Sequence, residues 1–196
     1  ETFHFLNPKA GISYTKNGHN AYVNFAIANS KTNRKNYTEA GPNDVPQAER
    51  LYDYEAGYNF SRRRFSVGAN LYLMDYDNQL VLTGKYSDTG AYLTKNVKDS
   101  YRAGIELMGG VQILDWLRWD GNVTLSQNKI LNYSDWVDDW DADWNDPVVN
   151  QNGGQVQVNY GTTDISFSPN ITAGSSFQMD IKGFNATLQT NYVGEQ

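Results

Sequence analysis

Hydrophobic residues occupy every second position in residues 64 to 78, RFSVGANLYLMDYDN. On an extended chain, one side carries Phe65, Val67, Ala69, Leu71 and Leu73. The other side carries Ser66, Gly68, Asn70, Tyr72 and Met74. Alternation of this kind predicts a β-strand with one apolar face and one mostly polar face. The run is far longer than an average soluble strand of five or six residues, so its apolar face must meet an unusually wide apolar environment.

The same alternation recurs along most of the chain. Seven further segments show it, at residues 7 to 16, 20 to 28, 51 to 60, 99 to 113, 117 to 127, 165 to 177 and 184 to 192. With the run at 64 to 78 they make eight predicted strands, and no segment shows the spacing of three and four that is typical of an amphipathic helix. The sequence therefore predicts an all-β fold.

Short and long connections follow one another in turn. Tight links are predicted near 17 to 18, 61 to 63, 114 to 116 and 178 to 182, whereas the links at 29 to 50, 77 to 98 and 128 to 163 are long and polar. Short turns at one end and long loops at the other are typical of transmembrane antiparallel β-barrels, as is a polar face of Asn, Ser, Thr, Gly and Gln. The alternative from the same pattern is a secreted β-domain that buries its apolar face in a core.

Composition removes several classes of function. The chain has 196 residues, a formal net charge of −6, no Cys and two His. An acidic chain lacks the basic footprint of a nucleic-acid-binding protein. The absence of Cys excludes disulfides and thiolate chemistry, and no arrangement of Ser, Asp or Glu gives either His a catalytic role. We therefore predict neither an enzyme nor a nucleic-acid partner, and no cofactor other than the calcium considered below.

Residues 51 to 107 resemble the barrel of TonB-dependent outer-membrane receptors, especially those of Bacteroidetes. The resemblance lies in Glu55, Gly57 and Tyr58 of an E-x-G-Y strand end, followed by Met74-Asp75-Tyr76 and Asn78-Gln79-Leu80-Val81. It continues in Asn96 and in Tyr101, Arg102, Gly104, Ile105 and Glu106. The runs WDGNVTLSQNKI at 119 to 130 and DISFSPN at 164 to 170 extend it over most of the chain.

The resemblance implies a barrel of about twenty-two strands around an N-terminal plug. Residues 1 to 196 would then be part of a single barrel domain of about eight strands, without the plug and without the terminal strand. It also implies a bacterial outer-membrane location and nutrient import energised by the inner-membrane TonB complex. The implied partners are the lipid bilayer, lipopolysaccharide, the rest of the barrel, the plug and a surface lipoprotein. The imported nutrient would be an iron chelate, cobalamin, an oligosaccharide or a peptide.

Two alternatives to this receptor remain at this stage. A passive porin or a small complete outer-membrane barrel would show the same strand pattern, because eight strands suffice to close a barrel. A secreted carbohydrate-binding β-domain would bury the same side chains in a protein core. Ion conduction without energy coupling distinguishes the porin, and extraction only by detergent distinguishes a membrane barrel from a soluble domain.

Two groups of residues are candidates for binding. Charged residues on the polar face are predicted to line the lumen, where they contact the plug or the substrate or form ion pairs with one another: Asp53, Glu55, Arg102, Glu106, Arg118 and Asp120. The loop at 134 to 146 combines acidic and aromatic residues: Trp136, Asp138, Asp139, Trp140, Asp141, Asp143 and Trp144. Carboxylates bind calcium and Trp stacks on sugars, but the loop lacks the glycine and glutamate positions of a calcium hand. A solvated outer loop is the alternative.

Overall fold

The described residues form one antiparallel sheet of nine strands with a single short helix. The computed structural model describes residues 4 to 39, 45 to 86, 92 to 138 and 155 to 195. In chain order the elements are β1 (Lys9–Lys16), β2 (His19–Ser30), α1 (Arg34–Glu39), β3 (Glu49–Ser61), β4 (Phe65–Tyr86), β5 (Tyr92–Leu114), β6 (Leu117–Asp138), β7 (Gln155–Asp164), β8 (Ile171–Ile181) and β9 (Phe184–Val193). No helix in the described part of the chain is long and apolar enough to cross a bilayer.

Each strand pairs with the next one along the chain, except where β6 has two partners on one side. The lower half of β6 pairs with β8, and its upper half, from Lys129 to Asp138, pairs with β7. The order in the sheet is therefore β1-β2-β3-β4-β5-β6-β8-β9, with β7 above β8. The all-β prediction is confirmed, and the β1–β2 turn at Asn17 and Gly18 has the positive φ angles, 51° and 82°, that tight hairpins require.

The described residues contain nine strands, one more than the eight segments identified from the sequence, because β7 lies in a segment predicted to be loop. β4, β5 and β6 are also much longer than predicted, with 22, 23 and 22 residues. Their upper ends occupy parts of the predicted loops at 77 to 98 and 128 to 163. A small core of Val81, Val97, Ile130 and Ile165 stabilises this extension.

The helix α1 was not predicted. Its six residues, Arg34–Glu39, follow Asn33, whose side-chain oxygen accepts a hydrogen bond from the Asn36 backbone N–H at 3.1 Å. This is an N-cap, which satisfies one of the free donors at the start of a helix. A single turn with one cap has too few residues to show a helical period in the sequence.

Residues 165 to 170, predicted to continue a strand, form a raised segment between β7 and β8. Backbone bonds fix both ends: Ile165 N donates to Asn128 O at 3.0 Å, and Ser126 N donates to Asn170 O at 2.8 Å. Six residues thus stand opposite the three β6 residues 126 to 128, which is a large bulge. Phe167 at its centre has a φ of 58°, an uncommon conformation for a residue with a bulky side chain.

The apolar face of the sheet is uncovered. Val23, Leu71, Leu125 and Leu188 are 56%, 55%, 45% and 64% exposed, and among the described residues only the four core residues above are buried hydrophobics. A soluble β-sandwich buries such a face beneath a second layer. No second layer covers it in the described ranges, so the secreted β-domain is not supported.

The register shows that the apolar band crosses the sheet obliquely. One row of cross-strand partners on this face contains Val23, Ala56, Leu71, Ile105, Leu125 and Ile171. Here "below" means towards the tight turns. On β2 the apolar positions begin about two residues below this row and end about four residues above it, at Ile27. On β8 they start in the row and end about ten residues below it, at Ile181.

The shift of the apolar band from strand to strand gives the angle at which the strands are tilted. The centre of the band moves from about one residue above the row to about five below it, a shift of about six residues over five strand-to-strand steps. With a rise of about 3.3 Å per residue and a strand spacing of about 4.8 Å, a level band requires strands tilted by roughly 35–40°. Strands of outer-membrane barrels are tilted by about the same angle.

Large side chains on the polar face lie across glycines of the neighbouring strand. A Cβ at Gly57 would stand 2.3 Å from the Tyr22 ring, and one at Gly104 would stand 2.6 Å from the Tyr72 hydroxyl. The same arrangement joins the directly paired residues Asn24 and Gly11, Asn59 and Gly68, Asp120 and Gly110, and Asn122 and Gly174. Because glycine has no side chain, the Tyr, Asn and Asp side chains lie flat across it and project little from the polar face.

Replacing Val123 by Arg should destabilise the full-length protein in a bilayer by about 2–4 kcal/mol, because Val123 lies within the apolar band. Asn122→Arg is the matched control, since the next side chain along β6 points to the polar face. Equilibrium unfolding in phospholipid vesicles measures both. Equal destabilisation by the two substitutions would contradict the assignment of the faces.

Replacing Gly57 by Ala should destabilise the protein by about 1–3 kcal/mol, because the new methyl group displaces the Tyr22 ring. In a Tyr22→Ala background the same change should cost little. Gly109→Ala is the control, since its Cβ would meet only Ser66 O, at 3.7 Å. Unfolding measurements on wild type, Gly57→Ala, Tyr22→Ala and the double variant form a double-mutant cycle. An unchanged cost in the Tyr22→Ala background would show that the ring is not responsible.

Candidate functional site on the polar face

Three of the six predicted lumen residues lie together around one recess on the polar face. Glu55, Arg102 and Glu106 line a cavity of about 380 Å³, with Asn70, Tyr72 and Phe167 among the other lining residues. The register explains the convergence. Glu55 pairs with Tyr72 across β3 and β4, and Glu106 pairs with Asn70 across β4 and β5. Side chains of directly paired residues lie on the same face of a sheet.

The two glutamates of the recess have no cationic partner. Glu106 Oε2 accepts a hydrogen bond from Asn70 Nδ2 at 3.3 Å, and Asn70 Oδ1 accepts one from the Tyr22 hydroxyl at 3.0 Å. Within the described ranges, no Lys, Arg or His nitrogen lies within 4.0 Å of the Glu55 or Glu106 carboxylate. Partly buried carboxylates without a counter-ion are suited to a ligand or protein segment that brings positive charge.

The third charged residue, Arg102, holds the raised segment in place. Its Nη1 donates to Ser168 Oγ at 2.8 Å. Ser126 Oγ donates to Pro169 O at 3.1 Å, and the Asn128 amide lies 3.4 Å from Ser168 O. Phe167, which these bonds leave at the rim of the recess, is 64% exposed. The segment is therefore fixed at its polar groups and presents an aromatic ring.

Sequence reasoning missed Phe167 and Ser168, because their segment was assigned to a strand. A signal was present in Pro169 and Asn170. Proline cannot donate to a ladder and is confined to strand edges and bulges, and asparagine is depleted in strands. A proline next to an asparagine within a strand-like pattern therefore indicates an interruption.

The other predicted lumen residues lie outside the recess. Arg118 and Asp120 form a bidentate pair, with Nε to Oδ2 at 2.7 Å and Nη2 to Oδ1 at 2.5 Å, so they neutralise each other. Asp53 lies on the same face, paired with Ala26 and Met74. In the part of the chain that the structure describes, its Oδ1 is buried and accepts no hydrogen bond.

Tyr76, beyond the upper edge of the apolar band, also borders Arg102. Burial raises the pKa of the Tyr76 hydroxyl above its ordinary value, and the positive charge of Arg102 partly opposes this effect. The phenol therefore stays neutral at physiological pH. Its hydroxyl lies 3.7 Å from Met74 Sδ, a weak acceptor.

Most of the predicted acidic and aromatic loop lies outside the described residues. β6 includes the backbone of Trp136 and Asp138, and Trp136 pairs with Gln157. Five candidates fall beyond the described ranges: Asp139, Trp140, Asp141, Asp143 and Trp144. No group of three His, Asp or Glu residues able to hold a metal occurs in the ranges that are described. Calcium binding by this loop stays a prediction.

Solved structures of a copper transporter and of receptors for ferric ligands share this fold. The ferric-catecholate import receptor Fiu of E. coli K12 matches with a TM-score of 0.61 and 17% identity, over 95% of this chain and 24% of that one. The copper transporter OprC matches with a TM-score of 0.61 and 12% identity, over 94% and 25%. The ferric enterobactin receptor PfeA of Pseudomonas aeruginosa matches with a TM-score of 0.63 and 15% identity, over 96% and 28%.

The chain thus spans about a quarter of the length of these transporters. Among curated proteins there is no significant match. The sequence itself matches a family model, described as TonB dependent receptor-like, beta-barrel, over residues 1 to 196. The nine-stranded antiparallel sheet and the whole-length match agree, and the chain belongs to the TonB-dependent receptor β-barrel family.

Proposed function

We propose that the full-length protein is an outer-membrane receptor that imports a nutrient with energy from the inner-membrane TonB complex. The uncovered, oblique apolar band carries this proposal, since it matches a bilayer crossed by tilted strands. Membership of the receptor family supports the energised mechanism. The similar structures are named as a ferric-catecholate import receptor, a copper transporter and a ferric enterobactin receptor, so an iron chelate is the first substrate to test, ahead of cobalamin, an oligosaccharide or a peptide.

In this proposal the chain is one sector of a larger barrel wall. Among the described strands, β1 pairs only with β2 and β9 pairs only with β8, so the sheet has two open edges. An open edge in hydrocarbon leaves backbone N–H and C=O groups unsatisfied, at several kcal/mol each. Further strands of the same protein would complete both edges. This argues against a small barrel closed by these strands alone.

The recess is the proposed contact for a plug inside that barrel. Glu55 and Glu106 offer two carboxylates without a counter-ion, and Asp53 offers an unused acceptor. Basic side chains of a protein segment in the lumen would satisfy all three. Phe167 would pack against the apolar part of the same segment. The polar face would then serve as a docking wall, with substrate contacts supplied mainly by the outer loops and the plug.

Energised transport should be visible as TonB-dependent uptake. Cells that express the full-length receptor should accumulate iron from a ferric catecholate, and deletion of TonB should abolish the accumulation. Cobalamin, an oligosaccharide and a peptide extend the test if iron chelates are not imported. Uptake that persists without TonB, together with steady ion conductance in planar bilayers, would instead identify a passive pore.

Neutralising both recess carboxylates should loosen the plug. In the full-length receptor, Glu55→Gln with Glu106→Gln should lower uptake by about tenfold or more, because each charge-assisted hydrogen bond contributes about 1.5–3 kcal/mol. Asp180→Asn is the control, since it removes a negative charge from the polar face outside the recess. Uptake assays and bilayer conductance measure the effect. Equal uptake and conductance in the double variant and the control would contradict a role for the recess in holding the plug.

A further inference from the structure

Four basic residues lie at the tight-turn end of the sheet, where β1 meets β2 and β3 meets β4. We call Lys16, His19, Arg62 and Arg63 the basic rim. The two turns are joined to each other: Ser61 N donates to Gly18 O at 2.8 Å, and Arg62 Nη1 donates to Asn17 O at 2.6 Å. The basic rim is therefore held on two hairpins whose relative position is fixed by hydrogen bonds.

Three members of the basic rim, Lys16, His19 and Arg62, lie at the edge of the apolar face. Lys16 pairs with His19, and His19 pairs with Phe60, so their side chains share that face. The His19 ring lies 4.4 Å from the Phe60 ring, and its Nδ1 is 2.7 Å from the Tyr58 hydroxyl. The Arg62 guanidinium stands over the same Phe60 ring, 4.8 Å from its centre. Positive charge and aromatic rings thus meet where the apolar band ends.

Three of the four side chains of the basic rim have no acidic partner among the described residues. On the same turn, Arg64 Nη2 lies 2.6 Å from Asp115 Oδ1, so Arg64 is already paired. Across the residues that the structure describes, Lys16, Arg62 and Arg63 have no carboxylate within 4.0 Å. Arg62 also uses only one of its five N–H donors on Asn17 O.

We propose that the basic rim binds the headgroup of an anionic phospholipid. This inference rests on the proposed membrane placement, in which tight turns face the periplasm and the periplasmic leaflet consists of phospholipid. Arginine suits the phosphate because its planar donors match phosphate oxygens, and the aromatic rings suit the boundary between acyl chains and headgroups. Each basic side chain near an anionic surface contributes a preference of about fivefold.

The full-length receptor in phosphatidylcholine bilayers that contain a minor fraction of phosphatidylglycerol tests the proposal. Spin-labelled lipids report the relative affinity of the protein for the two headgroups. Wild type should prefer phosphatidylglycerol, and Arg62→Gln and Arg63→Gln should each lower the preference by about fivefold. Arg62→Lys should retain most of it, because the charge remains.

The charge-conserving double variant Arg64→Gln with Asp115→Asn is the matched control. It removes the ion pair that joins the β3–β4 turn to the β5–β6 turn without changing the net charge, so the lipid preference should persist. Absence of a preference in wild type, or a preference that survives Arg62→Gln and Arg63→Gln, would overturn the proposal. Heat-shifted gel migration reports membrane insertion separately. A receptor that inserts and transports without the preference contradicts this inference alone, whereas one that fails to insert contradicts the membrane placement itself.

Discussion

The rest of this structure follows from one constraint: the backbone hydrogen bonds are made between neighbouring strands of a sheet whose two faces differ in polarity. Antiparallel pairing from β1 to β9 satisfies the backbone inside the sheet, so only the side chains have to match their surroundings. Alternate side chains then point to opposite faces, one apolar and one polar. In the proposed bilayer placement the apolar band would stay level while the strands are tilted, which explains why the register shifts it by about one residue per strand.

That constraint also explains how far the sequence predicts the fold. Where the two faces differ, as in β2 to β6 within the band, a period of two identifies the strands and the facing of every residue. Above the band the contrast disappears. The small core there consists of single residues from separate segments, Val81, Val97, Ile130 and Ile165. No local sequence pattern predicts such a core. β7 and the upper parts of β4 to β6 were therefore predicted as loops. Recognition of the receptor family from short motifs was confirmed, but the Bacteroidetes affinity stays a prediction.

The candidate site was predictable only in part, for a similar reason. Strand parity alone identifies Glu55, Arg102 and Glu106 as polar-face residues. Their grouping depends on which residues pair across strands, and the register is a tertiary property. Parity equally cannot show that Arg118 is neutralised by Asp120, two positions along the same strand. Nor can it show that Glu55 and Glu106 have no counter-ion in the part of the chain that the structure describes. The Ser168 contact of Arg102 was hidden by a bulge.

The shape of the polar face fits the proposed contact with a plug better than it fits a surface that only lines a water-filled pore. Side chains lying across Gly57, Gly68 and Gly104 keep the wall low over much of its area, which allows another surface to approach closely. The segment from 165 to 170 is the exception, since it is raised and carries an exposed phenylalanine. An aromatic ring facing water is unfavourable, whereas the same ring packed against a plug would bury apolar surface. The recess carboxylates beside it, which have no counter-ion among the described residues, would add charge specificity. In the proposed receptor, the flat wall, the raised segment and the recess would together define one position for the plug.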